Sequence, residues 1–129
     1  AIVGILAAIA IPAYKDYIVR SKVSECAATL GACKTSVTEY FNTKTNFPPN
    51  TDASGCSTSA SQYCKTLAVA STGNITITVD KVTGVTPTGS NTPNDCSLTL
   101  MPLSANSEIT GWSGSTGCAT KYVPALFRG

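Results

Sequence analysis

The sequence predicts an α+β fold: one long N-terminal α-helix laid across an antiparallel sheet of about four strands, with disulfide-closed loops. Three observations carry this. A helical apolar repeat runs through the first third of the 129 residues, shorter segments beyond residue 60 alternate apolar with polar, and six cysteines are spaced so as to tie the two regions together. A chain of this length fits one domain with a real core.

The helix comes first. Residues 1–11 carry no charge, and the first charged side chain is Lys15. Eleven helical residues span about 16 Å, half of a bilayer core, so this stretch does not cross a membrane alone. Three readings compete: a buried core helix, the apolar region of a signal peptide, or the end of a longer apolar helix. A signal peptide would begin with basic residues and end at a small-residue cleavage site, and neither is evident. Ile2, Val3, Ile5, Leu6, Ile9 and Ile11 point to all sides of a helix, so no single packing face covers them. Full burial of the six is worth on the order of 10–15 kcal/mol, which lipid or a surrounding bundle of helices would supply. Gly4 and Pro12 are the poor helix formers here. Ala7, Ala8 and Ala10 lie between them, so a kinked but continuous helix is expected. Beyond Pro12, Val19, Val23, Cys26, Leu30, Cys33, Val37 and Tyr40 recur at alternating spacings of four and three, a one-sided stripe that carries the helix to about residue 42.

Residues 42–61 read as a loop, because Phe47-Pro48-Pro49-Asn50 cannot continue a helix. Residues 65–70 alternate weakly and residues 75–79 cleanly, with a hairpin signal at Ser71-Thr72-Gly73-Asn74. Residues 82–95, rich in Gly, Pro, Thr and Asn, read as an exposed loop. Residues 97–101 form the third strand and residues 109–112 a short fourth, followed by a turn at 113–117. The tail, residues 122–127, is expected to pack back on the sheet.

The cysteines constrain how these elements meet. Six in 129 residues, with no C-x-x-C, point to an oxidising compartment and away from thioredoxin-like or zinc-ribbon chemistry. Cys26 and Cys33 are seven residues apart, about 10.5 Å on a helix, whereas a disulfide needs Cα atoms within about 7 Å. Each must therefore reach another segment. A chain that reverses at Pro48-Pro49 returns with Cys56 beside Cys33 and Cys64 beside Cys26, a nested pair. Cys96 and Cys118 then close the C-terminal hairpin.

Several function classes fall away. There is no His, which removes His-based triads and His zinc sites. A net charge of +2 is too small for electrostatic nucleic-acid binding. The seven carboxylates are scattered, with no pair at helical i, i+3 or i, i+4 spacing. Asp80, Asp95 and Glu108 read as solvated surface groups rather than a catalytic cluster. Trp112 reads as sheet packing before a ligand platform. The glycines at 111–117 lack the Lys and helix of a phosphate loop, and the triplet Asn74-Ile75-Thr76 matches a glycosylation sequon but opens a strand.

The stretch Gly4-Ile5-Leu6-Ala7-Ala8-Ile9-Ala10-Ile11-Pro12-Ala13-Tyr14, followed by Asp16-Tyr17 and Arg20-Ser21, resembles the N-terminal helix of type IV pilins. A Cys-bounded C-terminal segment also matches that family. Mature pilins begin roughly ten residues earlier, with an N-methylated Phe and a Glu; that run would bring the apolar stretch to the ~20 residues of a transmembrane helix. The sequence is accordingly expected to be a pilin lacking that run. The resemblance implies a non-enzymatic structural subunit without cofactors, which polymerises with itself into a pilus on the bacterial surface. It implies an apolar stem over residues 1–24, anchored in the inner membrane before assembly, and a globular head over residues 25–129. In the fibre, Ile2, Val3, Ile5, Leu6, Ile9 and Ile11 would lie in the core, with the helix losing regularity between Gly4 and Pro12. The segment bounded by Cys96 and Cys118, with Trp112, is the candidate adhesive loop. Pilus assembly machinery and host surfaces are the other implied partners. Adhesion, twitching motility and DNA uptake are the implied roles, although charge does not indicate DNA binding. A minor pilin, a type II secretion pseudopilin, and a secreted disulfide-stapled binding module are the alternatives.

Overall fold

Helix α1, Ile2–Lys44, supports the whole molecule in this computed structural model, which describes residues 1–91 and 94–128. The helix runs unbroken through Pro12, which has no N–H to offer the Ala8 carbonyl. It ends at Thr45, whose left-handed backbone (φ 58°) lets its N–H bond the Phe41 carbonyl.

The helix buries Val23, Cys26, Leu30, Cys33, Val37 and Phe41. The stripe thus closes on Phe41, not on Tyr40, which is half-buried. At 3.6 residues per turn a stripe can end on a step of three or four. The partner decides: the Phe47 ring, brought back by the turn after the helix, lies 4.6 Å from that of Phe41. Val19 packs only partly against the core.

Four strands follow, each antiparallel to the next, in the order β1-β2-β3-β4. They are β1 (Cys64–Val69), β2 (Ile75–Asp80), β3 (Asp95–Ala105) and β4 (Glu108–Thr116). The inner face of β2 places Ile75, Ile77 and Val79 against the helix stripe, and β3 adds Leu98 and Leu100. Strict alternation on β2 follows from one face being buried and the other wet.

The structure corrects the sequence reading in four places. The supposed loop at 42–61 contains a single helical turn, α2 (Thr51–Ser54), capped by the Asn50 side chain, which accepts from the Ala53 N–H at 2.9 Å. Residues 113–117 are not a turn, because β4 runs through them to Thr116. The chain reverses instead at Asn106-Ser107, both with positive φ (53° and 64°), as a two-residue hairpin turn of this hand requires. The strands flanking it are therefore the longest in the sheet rather than short. Finally, the stretch 82–95 is not simply exposed: Val82 and Val85 are fully buried, and the Val85 carbonyl accepts from the Ala119 N–H at 2.7 Å. Thr92 and Pro93 of that stretch lie outside the described residues.

The tail packs back on the sheet through two single 3₁₀ turns that bury Tyr122, Val123 and Phe127. Gly114 of β4 is required by the tail that packs over it. A Cβ there would sit 2.5 Å from the Leu126 carbonyl oxygen, a backbone atom that cannot swing aside. Gly114→Ala is expected to destabilise the chain by about 1–3 kcal/mol through overpacking. Thermal denaturation of the oxidised protein checks this, and an unchanged midpoint would show that the tail yields freely.

Candidate functional site

Residues 2–14 of α1 are exposed throughout, with nothing of the head packed on them. Ile2, Val3, Ile5, Leu6, Ile9 and Ile11 are between 52% and 78% exposed, and Tyr14 and Tyr17 are exposed beside them. An 18-residue window of this helix has a mean hydropathy of 1.7, with none of it buried, and by length and composition α1 is able to cross a membrane. Scattered apolar side chains are ordinary on a surface, but a contiguous apolar cylinder marks an interface with lipid or protein. The exposure follows directly from the all-round distribution of the six side chains: the sheet meets α1 only from about Val19 onward.

The root of this stem is clasped from two sides. On one, the Tyr122 hydroxyl donates to the Asp16 carboxylate at 3.2 Å, and the Arg20 guanidinium donates to the Lys121 carbonyl at 2.9 Å. The Lys121 ammonium lies 3.8 Å from Asp16. Its hydrogen bond with Tyr122, and then the Asp16 charge, hold Lys121 above the ordinary lysine range. Both ion-pair partners are at least half exposed, so this pair orients the root rather than stabilising the fold. Sequence reasoning had no signal for it, since Asp16 and Tyr122 are 106 positions apart. On the other side, the segment after β2 lays Lys81 and Val82 along the helix face bearing Lys15, Ile18, Val19 and Lys22.

The head is framed by three bridges. Cys26–Cys64 and Cys33–Cys56 are nested, tying α1 to β1 and to the segment after α2, with Cα separations of 5.5 and 5.0 Å. Cys96–Cys118, at 5.1 Å, closes the base of the β3–β4 hairpin. Cys96 and Cys118 are buried, and Trp112 is half-buried opposite Pro102. The exposed surface of the hairpin is its far end, with Leu103 and residues 104–108.

The carboxylates do not gather. Asp80 faces Asp95 across β2 and β3, but Glu108 stands at the other end of β3, ten residues or ~33 Å away. Among the described residues no cluster of His, Cys, Asp or Glu is placed to hold a metal ion.

Comparison with known proteins matches this architecture. The pilin family, a family of bacterial filament proteins, matches residues 19–128. The chain is 36% identical over 132 residues to the fimbrial protein EcpC of Eikenella corrodens, covering 99% of this chain and 82% of that protein. It is 40% identical over 83 residues to a type IV major pilin protein PilE of Neisseria gonorrhoeae, covering 62% of this chain and 49% of that one. To a fimbrial protein of Moraxella nonliquefaciens it is 60% identical over 37 residues, 29% of this chain and 24% of that one. The chain thus spans most of the first relative and less than half of the other two. A head-wide family match and a relative aligned along nearly the whole chain leave one conclusion: this chain belongs to the pilin family, as a type IV pilin, and is a structural subunit of a pilus.

Proposed function

We propose that the subunit polymerises with copies of itself into an extracellular filament, its stem buried in the fibre core and its head coating the outside. The single observation behind this is the bare apolar stem on a head that is otherwise well packed. Before assembly the same stem serves as the inner-membrane anchor, from which assembly machinery draws the subunit. The division falls between residues 1–24 and 25–129, with Asp16 and Arg20 holding the root of the stem to the head. Electron microscopy of the purified protein tests the reading. Filaments are expected; monodisperse particles would favour a secreted, disulfide-stapled binding module.

The fibre's proposed roles are adhesion, twitching motility and DNA uptake. A net charge of +2 gives no electrostatic footprint for DNA. For adhesion, the contact surface is the segment closed by Cys96 and Cys118, through the exposed end of the hairpin rather than through the half-buried Trp112. The oxidised peptide of residues 96–118 is expected to compete with cell adhesion. Absence of competition at saturation leaves the bridge as a staple only.

Inside the fibre, regular helix is expected to be lost within residues 4–12. Gly4 and Pro12 weaken the helix there, and extended chain rises about 3.3 Å per residue against 1.5 Å in a helix, which relieves mismatch between packed stems and tiled heads. Freed backbone groups in an apolar core are costly, so the melted stretch is short. A filament map with unbroken helical hydrogen bonds through residues 7–10 would overturn this.

A further inference from the structure

The face of α1 opposite the Asp16–Tyr122 clasp forms one wall of a groove of about 310 Å³. Lys15 and Lys22, seven residues apart, stand at its two ends, and Lys81 closes it from the segment after β2. Ile18, Val19 and Val82 line it between the ammonium groups. No carboxylate lines this groove. Among the described residues the ion pair is that of Lys121 with Asp16, and none engages Lys15, Lys22 or Lys81. Lys81 is held in place by its backbone. Its φ of 61° is uncommon for a residue other than glycine, and the fully buried Val82 pins the segment beside it. Lys22 is positioned by the Tyr63 ring, 4.8 Å from its ammonium.

Three unpaired cations around an apolar floor suit a ligand with a phosphate and an attached hydrocarbon. The level along the helix is also specific. The chain carries no charge before Lys15, so an inserted stem leaves the hydrocarbon there. From Lys15 to Lys22 the helix rises about 10 Å, comparable to the roughly 5–8 Å of headgroup layer on one side of a bilayer. We propose that this groove seats the phosphate headgroup of an anionic glycerophospholipid, fixing the depth and rotation of the subunit in the membrane before assembly. The proposal rests on the reading of the stem as a membrane anchor.

The test uses the full chain, delivered from detergent to vesicles of phosphatidylcholine alone or mixed with phosphatidylglycerol. The wild type is expected to partition into both and to favour the anionic vesicles. Each lysine at an anionic surface contributes about fivefold, so the combined Lys15→Gln, Lys22→Gln, Lys81→Gln variant should lose on the order of 100-fold of that preference. The corresponding Lys→Arg variant should retain it, as should a control carrying Lys34→Gln, Lys44→Gln and Lys65→Gln. Partition into phosphatidylcholine without a preference for phosphatidylglycerol, or a preference that survives the groove variant, overturns the lipid seat while the anchor reading stands. If the groove variant instead loses energy transfer between labelled subunits with its lipid preference intact, the lysines serve carboxylates of a second copy and the proposal falls. No partition of the wild type into either vesicle overturns the anchor reading, and the seat with it.

Discussion

Ile9→Asp is expected to abolish filaments while leaving the head folded, and Ile5→Asp to do the same. Both side chains lie on the bare stem, 70% and 64% exposed in the single subunit, and neither touches the core of the head. Folding of the head therefore does not register the change. In the fibre the same position is surrounded by apolar helices, and an ionised carboxylate there has no partner. Burying it costs several kcal/mol even after relaxation, repeated at every subunit along the filament. The expected result is monomeric or detergent-bound protein with an unchanged thermal midpoint, and no fibres by microscopy. Normal polymerisation of either variant would show that this segment is not in the fibre core.

Removing the Cys26–Cys64 bridge, as the Cys26→Ala, Cys64→Ala double variant, is expected to cost more stability than removing Cys33–Cys56 in the same way. The bridge closes 38 residues, and loop entropy alone assigns it about 3–4 kcal/mol. Against a typical domain stability of about 5–15 kcal/mol this is a large fraction. Cys33–Cys56 and Cys96–Cys118 close loops of similar length, 23 and 22 residues, so entropy alone separates the three little. Burial separates the two bridges that tie down the helix: Cys26 and Cys64 are 0% and 3% exposed, whereas Cys56 is only partly buried. Loss of the sulfurs leaves a cavity at the first site, and the chain relaxes more easily at the second. Denaturation midpoints of the two double variants test the ranking. A smaller loss for Cys26–Cys64 than for Cys33–Cys56 would place the critical tie at the α2 end of the helix instead.

Much of this architecture follows from local pattern. The stripe from Val23 to Val37 is legible because one helix face is buried along its length, and burial imposes a 3.6-residue period. The nested bridges follow from a distance argument: Cys26 and Cys33 are too far apart on a helix to pair, and an antiparallel return leaves one order for their partners. The misreadings arise where a residue type has two physical uses. Glycines at 111–117 looked like turn formers, yet Gly114 is small because the Leu126 carbonyl lies against it. The true reversal, Asn106-Ser107, lacks the glycine that usually marks a turn with positive φ at both central positions. Asn50 resembled loop chemistry because a cap and a turn use the same side-chain oxygen.

By itself, then, the sequence determined the long helix, its bare apolar start, the clean strand at β2 and the pairing of the cysteines. Each rests on periodicity or chain geometry within one segment or between two constrained ones. Tertiary structure alone decided that the stripe ends on Phe41, that the β3–β4 hairpin is the longest part of the sheet, and that Asp16 meets Tyr122. It alone brought Lys81 beside Lys15 and Lys22. These are contacts between residues far apart in the chain, and no local period encodes them. They exist because burying Val82, Val85, Tyr122 and Phe127 fixes where the connecting segments run, and polar and charged side chains go where that apolar packing carries them.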